Sequence, residues 1–382
     1  MYAITSHDLH LYSRWFLSVL EPIWHPFKAL PNPKLAPNPD LRFLSSQYQW
    51  RVEISDSVDS IKNIEEKRHL IQSTNLLRLL VEASIVMTPA VSPFNDFRAG
   101  YSALRYSQYF KPLQLEHRNK LIFNSDPSLR SIRLRALMAE ELALGVTAFL
   151  AREYFDVVHV ADYKLWQMVG IDKTSIEYPD LASLDQLGQT ILLESKGSIS
   201  SRCSSMNLQR KRAAARLLNT HIPAQRIIVA TCLLHDNFEQ DSISLIEKVK
   251  QEDIEDLDGA PVKTELSCLA FAKIFRLAGL DEEADAMVSG RSFMNSSLSK
   301  HFPIKVFGKE FIPIGMDPFD NLVLVEGQTL SELKEGKIPN VPKRYIKNGS
   351  STKDSPIEEK LAFTINESVL IFPSPVYFEG TN

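Results

Sequence analysis

The feature that most constrains the fold is a pair of short apolar runs that meet at a tight turn. PDLASLD (179–185) and QTILLESKG (189–197) flank the turn DQLG, so the two runs are predicted strands of one hairpin. Side chains two residues apart in a strand share a face, which places Glu194 and Lys196 on the same side. Asp180, at the start of the neighbouring strand, is predicted to lie beside Glu194.

Two acids and a lysine are costly side chains for a buried hairpin. An unpaired buried carboxylate is expensive, and two neighbouring carboxylates raise each other's pKa. A hard divalent cation removes that conflict, because Mg²⁺ is held by one or two carboxylates together with water and substrate phosphate. A nearby lysine can orient or deprotonate the attacking water. Asp180, Glu194 and Lys196 therefore predict a metal-dependent phosphodiesterase site; the alternative is a surface hairpin with a solvated Glu–Lys pair.

The hairpin is embedded in a regular succession of predicted elements. A helix over 126–155 precedes a strand over 156–163, and the two hairpin strands follow. A second helix over 204–221 and a fourth strand over 225–234 complete the order helix, three strands, helix, strand.

This arrangement resembles the PD-(D/E)XK nuclease superfamily, which includes many restriction endonucleases and recombination and repair nucleases. The matching residues are Pro179-Asp180, Glu194-Ser195-Lys196 and Gly197, within residues 130–235. The resemblance implies a restriction-endonuclease-like core and a Mg²⁺ ion, for which Mn²⁺ can substitute. It makes Asp180 and Glu194 metal ligands, joined by the Ser195 carbonyl, and Lys196 the catalytic lysine.

Members of this superfamily often carry a further acid on the helix before the first strand, where Glu140 and Glu141 stand side by side. The apolar stripe of this helix favours Glu141 as the inward-facing residue and a fourth candidate ligand. The alternative is a different helix phase that leaves both acids solvated. The stripe consists of Leu134, Leu137, Met138, Leu144, Gly145 and Ala148.

The helix after the hairpin is basic, and no acid occurs between residues 202 and 226. In a chain of net charge −4, this strip predicts contacts with a phosphate backbone. The alternative is a solvated helix face whose charges pair with acids elsewhere. The candidate nucleic-acid-binding residues are Arg202, Gln209, Arg210, Lys211, Arg212 and Arg216. Arg226 belongs to the same basic strip, and Gln209 or Lys211 is also a candidate to reach back to the site.

The expected fold is α/β, with a central mixed sheet flanked by helices. Residues 1–125 form a mainly helical region, 126–300 the nuclease-like domain with trailing helices, and 301–382 a β-rich region. Helices are predicted over 64–87, 244–257 and 265–288, and strands over 303–315, 321–327 and 368–378.

Three scattered cysteines argue against a disulfide framework and a zinc site, and favour a cytoplasmic location. No apolar run reaches the ~18 residues of a membrane-spanning helix, so no membrane partner is expected. DNA is the expected substrate ahead of RNA, with a homodimer or an activating protein as further candidate partners. A role in restriction or defence against foreign DNA follows from family analogy alone. A catalytically inactive nucleic-acid-binding protein and a partner-activated or RNA-specific nuclease remain open alternatives.

Overall fold

A computed structural model describes most of the predicted core and both of its flanks. The described residues are 47–55, 68–90, 132–163, 179–199, 206–220, 224–233, 242–249, 260–293, 298, 303–317, 321–337 and 363–373. None of the helices within them is long and apolar enough to cross a membrane.

Seven strands form one mixed sheet at the centre of the described structure. They are β1 (Gln47–Ser55), β2 (Arg68–Asn75), β3 (Val157–Asp162), β4 (Leu181–Asp185), β5 (Thr190–Ile199), β6 (Gln225–Leu233) and β7 (Ile243–Val249). Their order across the sheet is β2-β1-β7-β6-β5-β4-β3. The strands β3, β4 and β5 form an antiparallel meander, and β6 returns parallel to β5. That parallel return requires a crossover connection, and a helix supplies it.

Helices cover both faces of this sheet. They are α1 (Leu76–Met87), α2 (Ile132–Phe155), α3 (Met206–Leu218), α4 (Ala260–Leu277), α5 (Asp281–Val288) and α6 (Gly327–Lys334). On α2, Thr147 contacts Ser195 of β5, whereas Arg216 of α3 contacts the preceding residue, Glu194. Successive strand residues point to opposite faces, so α2 and α3 lie on opposite sides of β5.

A second, five-stranded antiparallel sheet packs against the first body. It contains β8 (Ile304–Val306), β9 (Lys309–Met316), β10 (Leu322–Glu326), β11 (Phe363–Asn366) and β12 (Val369–Phe372), in the order β11-β12-β10-β9-β8. Ile365 and Val369 belong to the same hydrophobic cluster as the core of the large sheet. The Asn366 amide also donates to the Val158 carbonyl at 3.1 Å. The β-rich end of the chain is therefore packed onto β3.

The expected α/β class, with a mixed sheet flanked by helices, is confirmed. The predicted order of helix, three strands, helix and strand is also found, as α2, β3, β4, β5, α3 and β6.

The predicted helix over 64–87 is wrong in its first half. Arg68–Asn75 is the strand β2, which pairs antiparallel with β1 over eight residue pairs, including Trp50 with Gln72. The helix begins only at Leu76, after the Asn75 side chain accepts a hydrogen bond from the Arg78 backbone N–H at 2.7 Å. Pairing with the preceding strand β1 therefore overrides the local helical period, and in the described part of the N-terminal region two strands accompany one helix.

The predicted helix over 244–257 is also wrong where the structure describes it. Ile243–Val249 is the strand β7, which is central because it pairs with both β1 and β6. The predicted helix over 265–288 is instead two helices, separated at Gly279, whose φ of 83° is a left-handed value suited to glycine. The helix α6 was not anticipated within the β-rich end.

The cysteine spacing argues against a disulfide framework, and one cysteine departs from that expectation. Cys232 in β6 is disulfide-bonded, and Cys268 in α4 is a free thiol. Burial raises the pKa of the Cys268 thiol to about 11, so this thiol is not activated as a nucleophile.

Candidate active site

The hairpin of β4 and β5 sets the register of the site. Leu181 is the partner of Leu193 in the antiparallel ladder, so the preceding residue, Asp180, lies opposite Glu194. At the other end of the hairpin, one Asp185 carboxylate oxygen accepts backbone N–H groups from the turn at 2.7 and 2.8 Å. Gly188 takes a φ of 74° in that turn. The turn therefore fixes which residues meet across the strands.

Two backbone hydrogen bonds hold the two acids at their positions. The Asp180 N–H donates to Glu194 Oε2 at 3.2 Å, and the Ser195 N–H donates to Asp180 Oδ2 at 2.8 Å. Each carboxylate is thus bonded to the strand that carries the other acid. These reciprocal bonds orient both carboxylates through the backbone of the hairpin.

Lys196 completes a compact group of oxygen atoms around one nitrogen. Its Nζ donates to Glu194 Oε1 at 2.6 Å, to the Ser195 carbonyl at 2.8 Å and to Asp180 Oδ2 at 3.4 Å. The three oxygen atoms that the sequence motif nominates as metal ligands therefore surround the same cationic nitrogen. Two carboxylates and a carbonyl are ligands that suit Mg²⁺, whose remaining positions are taken by water and phosphate. The residues present fit such an ion.

Glu194 is the most buried member of the group, with a fully inaccessible side chain. Burial raises its pKa above the ordinary value, and the Asp180 carboxylate raises it further, while Lys196 and Arg216 act in the opposite direction. A buried carboxylate under this repulsion gains from any additional cation close to it. An added cation beside Glu194 would therefore relieve this repulsion.

Helix α2 fixes the backbone of β5 from the opposite face. The Thr147 hydroxyl donates to the Ser195 hydroxyl at 2.9 Å, and both side chains are buried. Gly197 lets the helix approach closely, because a Cβ there would lie 1.9 Å from the Ala139 carbonyl oxygen. Sequence reasoning missed Thr147; a polar residue within the apolar run of α2 was the available signal.

Arg216 reaches the site from α3, which lies on the face of the sheet opposite α2 and on the same side as Glu194. Its Nη1 donates to Glu194 Oε1 at 3.0 Å, the oxygen that also accepts from Lys196. The sequence nominates Arg216 as a phosphate-binding residue, and the structure brings it into contact with a candidate metal ligand instead. This contact could not be read from the sequence, because it depends on how α3 lies across β5.

The other basic residues of the strip divide into several groups. Arg210 forms an ion pair with Glu247 of β7, and Arg226 is buried, with its guanidinium donating to the carbonyls of Leu217 and Thr220 at the end of α3. These two side chains support the fold. The remaining candidates are exposed Lys211 and Arg212, part-buried Gln209, and Arg202, which lies outside the described residues.

The two acids of α2 lie at different depths. Glu140 is exposed and Glu141 is part-buried, whereas Leu137 of the predicted inward stripe is 42% exposed. Among the residues that the structure describes, no group of three or more His, Cys, Asp or Glu side chains is arranged to hold a metal. The described site is thus a pair of carboxylates, and the role of Glu141 as a further ligand stays a prediction.

The chain was compared with family models, with curated proteins and with solved structures. No family model matches it, and neither a curated protein nor a solved structure matches it. The assignment of Asp180, Glu194 and Lys196 therefore rests on their own geometry and on the resemblance of their motif.

Proposed function

We propose that the protein is a metal-dependent nuclease that hydrolyses phosphodiester bonds, with DNA as its substrate. The observation that carries the proposal is the convergence of three oxygen acceptors on Lys196 Nζ. Carboxylates of Asp180 and Glu194 and the carbonyl of Ser195 contact that atom within 2.6–3.4 Å. Side chains of a solvated surface hairpin would not include a fully buried glutamate.

The topology around the site gives independent support. An antiparallel meander, a crossover helix and a parallel return strand follow α2 in the order that the superfamily resemblance implies. The resemblance of the motif and this order of elements together favour a restriction-endonuclease-like core. Fold alone does not define an activity, so the chemistry is proposed from the site.

Each residue of the proposed site would have a separate role. Bound Mg²⁺ would supply neutralisation of the phosphate charge and activation of a water molecule. Asp180 and Glu194 would hold the ion through their carboxylates, joined by the Ser195 carbonyl. Lys196 would orient the attacking water or stabilise negative charge on the phosphate. The exposed Lys211 and Arg212 of α3 would contact the phosphate backbone and position the substrate.

A cleavage assay with single variants tests this function. Purified protein is incubated with DNA and with RNA in Mg²⁺ or Mn²⁺, with and without EDTA. We expect cleavage of DNA that EDTA abolishes. Because Glu194→Gln removes a ligand of the proposed metal and Lys196→Ala removes the group that acts on the water or the phosphate, we expect either to reduce the rate at least about a hundredfold.

Matched controls separate the site from general charge loss. Glu282→Gln and Lys305→Ala remove the same charges at exposed positions, and we expect both to cleave like the parent. Equal cleavage by the Glu194 and Lys196 variants would refute the assignment. Preferential digestion of RNA would instead change the substrate. Metal-independent DNA binding without cleavage would favour an inactive binding protein, and cleavage that appears only with an added partner would favour an activated effector.

A further inference from the structure

Two cations compete for one oxygen atom at the centre of the site. Glu194 Oε1 accepts from Lys196 Nζ at 2.6 Å and from Arg216 Nη1 at 3.0 Å. A carboxylate oxygen has two lone pairs for such contacts, so these donors already occupy it. A metal ion that bound this oxygen would have to displace at least one of them.

We propose that a divalent cation displaces Arg216 from Glu194, and that the released guanidinium then binds a phosphate of the substrate next to the metal. Arg216 is thus a positioning residue that couples metal binding to nucleic-acid binding. This inference rests on the proposed nuclease function and deepens it. It assigns to one residue of the basic strip a role that depends on the metal.

The geometry favours the departure of Arg216 over that of Lys196. Lys196 is carried by the same strand as Glu194 and also contacts the Ser195 carbonyl and Asp180. Arg216 belongs to a separate element, and among the described residues its side chain hydrogen-bonds to Glu194 alone. Its side chain is 40% exposed, against 18% for Lys196. Arg216 can therefore turn towards solvent, whereas Lys196 remains at the site.

The charges of the site favour the same outcome. The two carboxylates of Asp180 and Glu194 are balanced by Lys196 and Arg216, so an added divalent ion leaves an excess of positive charge. A phosphate diester next to the ion offsets that excess and offers oxygen atoms to the guanidinium. Arginine suits this second role because its planar group can bind two phosphate oxygens at once.

The first measurement is metal affinity, determined by titration calorimetry with Mg²⁺ and Mn²⁺ on the full-length protein. Because Arg216→Ala removes a competitor for Glu194, we expect it to bind metal about twofold to tenfold more tightly than the parent. Arg212→Ala is the matched control, since it removes the same charge from an exposed position on the same helix. We expect its metal affinity to equal that of the parent.

The second measurement is the affinity of the protein for a DNA duplex in two buffers, one containing EDTA and the other Ca²⁺. Gel analysis checks that the duplex stays intact in both. The parent should bind more tightly with Ca²⁺, and Arg216→Ala should lose most of that gain. Arg212→Ala should weaken binding by the same factor in both buffers. These opposite effects of one substitution on metal and on DNA would not arise from a merely structural role.

The outcomes distinguish the two proposals. If the parent binds neither metal, the nuclease proposal fails together with this inference. If the parent binds metal and Arg216→Ala binds it equally or more weakly, the displacement of Arg216 is refuted while the nuclease proposal stands. Arg216→Gln repeats the test with a bulkier neutral side chain, and thermal unfolding by circular dichroism checks that each variant is folded.

Discussion

His159 is a titratable side chain that the fold holds in its neutral form. It is 2% exposed in β3, and its ring meets the Phe271 ring at 5.2 Å. Burial, and then the nearby Arg152 guanidinium, lower its pKa from 6.5 to about 3. The unfolded chain therefore binds a proton between these pH values that the folded protein does not bind. The stabilisation by neutral His159 is complete above pH 6.5 and is lost progressively as the pH falls towards 3.

This difference predicts an acid sensitivity that one substitution removes. In urea titrations between pH 7 and 4, we expect His159 to contribute a fall in the free energy of unfolding of up to about 1.4 kcal/mol per pH unit. His159→Leu should show a shallower pH dependence over the same range, whatever its stability at pH 7. Parallel curves for the parent and the variant would show that His159 does not titrate in this way.

The catalytic candidates could be identified from sequence, whereas their partners could not. Alternation along one strand places Glu194 and Lys196 on the same face, and the turn length places Asp180 opposite, so local rules are sufficient. The contact of Arg216 with Glu194 requires the position of α3 relative to β5. The ion pair of Arg210 with Glu247 was missed for a related reason, because the segment that carries Glu247 was predicted to be a helix.

At the scale of elements, the contact of β5 with α2 depends on a glycine. A Cβ at Gly197 would lie 1.9 Å from the Ala139 carbonyl oxygen and 2.8 Å from the Ala143 side chain. Because the nearer atom belongs to the helix backbone, it cannot turn aside, and the strand or the helix must shift. We expect Gly197→Ala to destabilise the protein by about 1–3 kcal/mol in urea denaturation and to reduce cleavage, since Lys196 is the adjacent residue.

Gly327 at the start of α6 is the matched control for this substitution. Its nearest neighbouring atom would be 3.6 Å from a new Cβ, which is an ordinary contact distance. We expect Gly327→Ala to change the free energy of unfolding by less than about 0.5 kcal/mol. A similar loss of stability in both variants would mean that the close approach of α2 to β5 is not the cause.

Sequence reasoning was least accurate for elements whose conformation depends on pairing with other strands. The segments that became β2 and β7 have a locally helical period, but both pair with β1. The pairing of β7 is not visible in a local window, because β7 and β1 are separated by nearly two hundred residues. The elements from α2 to β6 were identified because each has a clear periodicity and the connections carry turn-forming residues.

At the scale of the whole molecule, a buried group of charges connects the N-terminal helix, the central helix and the second sheet. Glu82 of α1 pairs with Arg78 at 2.8 Å and with Arg152 of α2 at 3.2 Å, and all three side chains are at most 1% exposed. Arg152 also donates to the Ile365 carbonyl of β11 at 3.0 Å, and the Arg78 guanidinium lies over the Phe363 ring. Loss of Glu82 would leave two buried guanidinium groups without their shared carboxylate.

We therefore expect Glu82→Ala to lower the free energy of unfolding by about 3–5 kcal/mol, the usual consequence of removing one partner from a buried ion pair. Urea denaturation measures this loss, and amide hydrogen exchange should become faster in β11 and β12 as well as in α1. Glu282→Ala, at an exposed position of α5, is the control, with an expected change below about 0.5 kcal/mol. Faster exchange confined to α1 would mean that the second sheet is held by its apolar contacts and does not depend on Arg152.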